Sequence, residues 1–131
     1  MEMKGYQKQV IKDLSRYLEL LNETQDYRAA FSFFWQEKSA PALGRYQDIL
    51  PGVPNLCFKV PTGGGKTFLA CNAIKPILET MPFSKARAVV WLVPSDVILT
   101  QTVKALQDTA HPYRQKIDVD FGGRVEVYTK Q

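Results

Sequence analysis

Apolar residues recur at helical spacing from the start of the chain. Val10, Leu14, Tyr17, Leu18 and Leu21 share one face of a helix predicted over residues 6–21, while Lys4, Lys8, Lys12 and Arg16 form a basic stripe on another. A second helix is predicted over 25–38, where Tyr27, Phe31, Phe34 and Trp35 keep the same spacing. Between Ser39 and Asn55 the pattern breaks at Pro41, Gly44, Pro51, Gly52 and Pro54, which marks a connector. Beyond it short apolar runs alternate with amphipathic stretches. Residues 56–60, 86–93 and 125–128 read as strands, 67–80 and 95–109 as helices, with Pro76 expected to kink or end the first of these. Strand, helix, strand, helix, strand predicts an α/β lobe with a parallel sheet and right-handed crossovers.

Composition limits what such a lobe is for. With 131 residues, 45% hydrophobic and 23% charged, the chain can bury a core, and its longest apolar stretch falls far short of a membrane span, which takes roughly 20 residues. Met1-Glu2-Met3-Lys4-Gly5-Tyr6 lacks the order of a secretory signal, so a cytoplasmic location is expected. Cys57 and Cys71 have no partner at metal-ligand or redox-motif spacing and read as buried, reduced thiols. His111, before Pro112, reads as a surface residue. A net charge of +4 is compatible with a polyanionic partner without requiring one. The basic stripe reads first as a solvated helix face and second as a phosphate-tracking surface; the aromatics of 27–35 read first as core and second as a base-stacking platform.

Candidate chemistry concentrates after the first predicted strand. Pro61-Thr62-Gly63-Gly64-Gly65-Lys66-Thr67 lies between an apolar run and a helix, where a phosphate-binding loop must lie. Glycines let the backbone turn tightly and present N–H groups to phosphate oxygens, and the helix adds its positive end. Lys66 is placed to meet the β- and γ-phosphates, Thr67 to ligate Mg²⁺ through its hydroxyl, and Phe68 closes the segment. The general phosphate-loop pattern wants glycine five residues before Gly65, and Val60 stands there.

The shorter form resembles motif I of superfamily 2 helicases and translocases. Pro94, Ser95 and Gln101, in Val93-Pro94-Ser95-Asp96-Val97-Ile98-Leu99-Thr100-Gln101, resemble motif Ia, which in that superfamily touches the backbone of the tracked strand. The chemistry fits, because a hydroxyl and the amides of a helix start bind phosphate without reading sequence. Tyr6-Gln7-Lys8-Gln9-Val10 resembles the segment that recognises adenine through a glutamine; Gln7 is the assignment and Gln9 its rival.

Taken in order, with Phe34-Trp35-Gln36-Glu37-Lys38 and Leu50-Pro51-Gly52-Val53-Pro54-Asn55 between them, these segments resemble the DEAD/DEAH-box family that includes the restriction subunit of type III restriction-modification systems. The resemblance implies an ATP- and Mg²⁺-dependent motor on duplex DNA, a modification methyltransferase as partner, and a separate endonuclease domain. It implies an N-terminal helical segment over 1–54, carrying the adenine-sensing motif and a helical insertion, and a truncated RecA-like ATP-binding lobe over 55–131. No acidic box follows the third predicted strand, and no second motor lobe is encoded, so the chain is expected to be a catalytically incomplete fragment. A standalone ATP-binding regulator that never hydrolyses nucleotide is the alternative, and a phosphate-loop kinase a more distant one.

Overall fold

The computed structural model describes residues 1–42, 44–63, 65–80 and 87–130. Among these residues there are five helices: α1 Gly5–Thr24, α2 Tyr27–Glu37, α3 Lys66–Thr80, α4 Asp96–Gln107 and α5 Pro112–Phe121. The chain divides into two compact units, one formed by Lys4–Thr62 and the other by Met1–Met3 with Gly63–Gln131.

In the first unit α1 packs on α2. Leu14, Tyr17, Leu18 and Leu20 close the buried face of α1 against Ala30 of α2. Gln25, in the left-handed conformation, ends α1, and the Asp26 carboxylate then accepts the backbone N–H groups of Arg28 and Ala29 to start α2. A cap of this kind stabilises a helix by about 1 kcal/mol. Polar contacts fasten the same pair. Arg16 forks onto Glu37 and also reaches Glu19, so it holds the helices together, and of the predicted basic stripe Lys4, Lys8 and Lys12 stay exposed. Lys38 of the α2 cap pairs with Asp13 of α1.

In the second unit α5 packs on both α3 and α4. Cys71 of α3, Leu106 of α4 and Ile117 of α5 form the core, with Ile74, Trp91, Tyr113, Phe121, Val125 and Val127 packed around it. Helix α5 was not anticipated. His111 caps it, its Nδ1 accepting the Tyr113 N–H at 3.1 Å, Pro112 occupies its first turn, and Gly122 (φ +64) ends it. Pro76 lies inside α3 without ending it.

The predicted parallel sheet is absent: among the described residues there is no strand, and the fold is all-helical rather than an α/β phosphate-loop lobe. Residues 56–60, 87–93 and 125–128 have no regular structure, residue 86 lying outside the described residues. The physical reason is that a strand exists only through its neighbours. Side chains do alternate there, Trp91, Val125 and Val127 turning toward the core while Leu92 (88% exposed) and Tyr128 (81%) turn to solvent. Backbone groups are used differently, however. The Val125 carbonyl accepts from the Arg114 guanidinium at 2.9 Å and the Val127 carbonyl from Gln107 Nε2 at 3.4 Å, side chains taking places that a ladder would need. Apolar periodicity thus located the residues that feed the core but not the bonding that holds them. Cys71 is buried as expected, but Cys57, on an unpaired segment, is exposed.

Candidate nucleotide-binding loop

The glycine-rich loop has the backbone that its composition demands. Gly63 and Gly65 adopt φ of +77 and +70, a region that costs an L-residue roughly 1–2 kcal/mol and a glycine little. Gly64 lies outside the described residues. Immediately after Gly65 the chain enters α3, the Gly65 carbonyl accepting the Leu69 N–H at 3.0 Å as the first α-helical bond. The N–H groups of Lys66, Thr67 and Phe68 therefore precede the helical ladder, at the positive end of the helix. The Lys66 side chain is exposed and Thr67 half-buried in the first turn.

Two buried residues directly behind Thr67 anchor this turn. Phe68 (5% exposed) and Leu69 face the core, and the Phe68 ring stacks on Tyr113 of α5 with centroids 6.0 Å apart and planes 24° apart. Tyr113 in turn lies 4.5 Å from the His111 ring that caps its helix. One turn on, buried Asn72 donates from Nδ2 to the Phe68 carbonyl at 2.8 Å. Phe68 thus contributes a main-chain N–H and a packing anchor, its ring being inside. Tyr113 was missed as a support for the loop; Pro112 at a helix start and Gly122-Gly123 past its end were the signals that could have found it.

Pro61 and Thr62 are exposed and belong to the first unit. Gln7 also lies in the helical unit, 3% exposed, with its Oε1 accepting the Lys4 N–H at 2.8 Å as part of the α1 cap. Gln9 is exposed and donates to Asp13 at 2.9 Å. Pro94, Ser95 and Gln101 are exposed around α4, and Ser95 is its N-cap, Oγ accepting the Ile98 N–H at 3.3 Å. Gly65 thus leads directly into Lys66 and Thr67 at the start of α3, while Ser95 and Gln101 belong to a separate helix of the same unit.

Among the described residues no group of three or more His, Cys, Asp or Glu side chains is placed to hold a metal ion. A lone threonine hydroxyl fits a divalent cation that arrives with phosphate oxygens as its other ligands, which is how Mg²⁺ is commonly bound. Among the same residues no helix is long and apolar enough to cross a membrane.

No curated protein and no solved structure matches the chain. A family model described as type III restriction enzyme, res subunit, matches residues 1–130. Covering both units, that match shows that the chain belongs to the type III restriction enzyme res subunit family.

Proposed function

We propose that this chain is the ATP-binding portion of a DNA translocase serving a type III restriction or related defence system. The observation that carries the reading is the pair of left-handed glycines, Gly63 and Gly65, leading directly into the start of α3. A phosphate cradle requires a glycine turn and a helix start rather than a sheet.

In this reading the main-chain N–H groups of the turn donate to phosphate oxygens. Lys66 neutralises the β- and γ-phosphates as a mobile point charge, and Thr67 supplies a hydroxyl to the Mg²⁺ that accompanies them. Pro61, Thr62 and Gly64 complete the loop, and residues 1–54 contribute adenine recognition through Gln7. Pro94, Ser95 and Gln101 meet the DNA backbone without reading its sequence, and a modification methyltransferase is the protein partner. The family membership supports the motor assignment over a nucleotide sensor that never turns over.

The experiment is the Mg²⁺ dependence of ATP binding in the wild type and in Thr67→Ala. Wild type should bind ATP more tightly with Mg²⁺ than without, and Thr67→Ala should lose that difference while keeping its metal-free affinity. Equal Mg²⁺ dependence in the two proteins would remove Thr67 from the site; no saturable ATP binding by either would remove the loop.

A further inference from the structure

Helix α2 has two unlike faces, and only one is needed to hold the helical unit together. Ala30 and Glu37 meet α1, as does the Tyr27 carbonyl, which accepts the Tyr17 hydroxyl at 3.2 Å. On the other side Arg28, Phe31, Trp35 and Gln36 of α2, with Arg45 and Tyr46 of the connector, line an open cavity of about 820 Å³. That volume lies within the range typical of small-molecule sites, roughly 300–1,000 Å³.

Three aromatic rings wall the cavity. Phe31 lies 6.3 Å from Trp35 at 73° and 5.7 Å from Tyr46 at 58°. Tyr46 is held in place, its hydroxyl accepting the Asn55 N–H at 2.9 Å. The Trp35 indole Nε1–H is itself buried away from this space, without a hydrogen-bond partner among the described residues. Charge is one-sided as well. The described lining includes two arginines and no carboxylate; the Arg28 guanidinium is well exposed, its nearest counter-charge being Asp48 at 3.8 Å, and Arg45 is exposed. The rings pack edge-on against one another and border an open space beside two cations.

We infer that this cavity between α2 and the connector binds a nucleotide unit, a planar base taken against Phe31, Trp35 and Tyr46 with its phosphate on Arg28 and Arg45. Bases of every kind present a π-face to such rings, and arginine adds attraction to both phosphate and ring. The same chemistry is offered by a free nucleotide and by a nucleotide of a single strand. None of the lining residues belongs to the phosphate loop, so the inference stands apart from the function proposed above.

The test is tryptophan fluorescence of the whole chain in a Trp91→Phe background, which leaves Trp35 as the only tryptophan. Thymidine monophosphate and a single-stranded oligothymidylate of about eight nucleotides, a length within the usual site size for one stacking platform, are titrated separately. Saturable quenching is expected, and Arg45→Glu, a change of an exposed side chain, should weaken it by at least about tenfold, the scale set by loss of one such contact. Lys66→Ala should leave it unchanged. Comparable affinity for both ligands would assign the site to free nucleotides, and a requirement for the oligonucleotide would assign it to single-stranded nucleic acid. No quenching by either ligand, quenching indifferent to Arg45→Glu, or quenching abolished by Lys66→Ala would overturn the inference.

Discussion

Gln7 accepts the backbone N–H of Lys4 through its side-chain Oε1 at 2.8 Å, so the glutamine assigned to adenine also caps the helix that carries it. The cap uses the amide oxygen, whereas adenine recognition also requires the amide N–H₂ to donate, so substitution can probe the second role. Gln7→Ala removes both, and should destabilise α1 by about 0.5–2 kcal/mol. Gln7→Glu keeps an oxygen for the cap but loses the amide donor to adenine N7. Gln7→Glu also places a carboxylate where the side chain is 3% exposed, so thermal melts should show both variants below wild type, and ATP/GTP competition on the folded proteins should show reduced ATP preference. Retained preference in Gln7→Glu would leave Gln7 as a cap alone.

Arg114 should be the costliest polar side chain to remove from the second unit. Its side chain, mostly buried, pairs with Asp118 at 2.8 Å and donates to the carbonyls of Leu106 at 2.8 Å and Val125 at 2.9 Å. Arg114→Ala strands two carbonyls and a carboxylate at once, for an expected loss of about 2–5 kcal/mol. Urea denaturation followed by Trp91, which packs on that core, should register it. A midpoint within error of wild type would show that the guanidinium holds nothing together.

The link between α1 and α2 should weaken in acid. The Arg16 guanidinium, hydrogen-bonded to Glu37, holds that carboxyl below its ordinary value. A carboxyl depressed on folding contributes stability above the unfolded carboxylate range and loses it as pH falls through the folded value. Glu37→Gln should therefore be less stable than wild type at pH 7, with the two converging as the pH drops below the ordinary carboxylate range. Urea midpoints by circular dichroism at pH 7 and pH 3 would show it; parallel curves would mean that the exposed pair is screened into irrelevance.

Helix positions were legible in the sequence because helices are local. The apolar spacing of Leu14, Tyr17 and Leu18 and the Ser95 cap place α1 and α4 to within a few residues. Helix α5 escaped because its apolar face is thin, Ile117 being its only fully buried hydrophobic residue, although its Arg114–Asp118 and Lys116–Asp120 pairs were present at helical spacing. The sheet failed for the opposite reason. Leu56–Val60 and Val125–Tyr128 have strand-like composition, but pairing is a relation between distant segments, and in this structure side chains bond the carbonyls of Val125 and Val127 instead. The glycine-rich turn was legible since a few adjacent residues define it, and Gly63 and Gly65 take the positive φ that their glycines permit. The cavity beside Trp35 was not, because only the fold of the connector over α2 decides whether Phe31, Trp35 and Tyr46 close on one another or leave space.

The central claim is that the turn from Gly63 to Thr67 binds the phosphates of ATP, and Lys66→Ala tests it most directly. Lys66 is exposed at the start of α3, so its loss should leave the melting temperature within a few degrees of wild type. It removes the side-chain positive charge from a site otherwise built of main-chain dipoles, where a charge-assisted hydrogen bond contributes about 1.5–3 kcal/mol. Titration with a fluorescent ATP analogue in Mg²⁺ should then show affinity reduced by about 10- to 150-fold, which is that energy converted. Equal affinity of wild type and Lys66→Ala for the analogue would contradict the account.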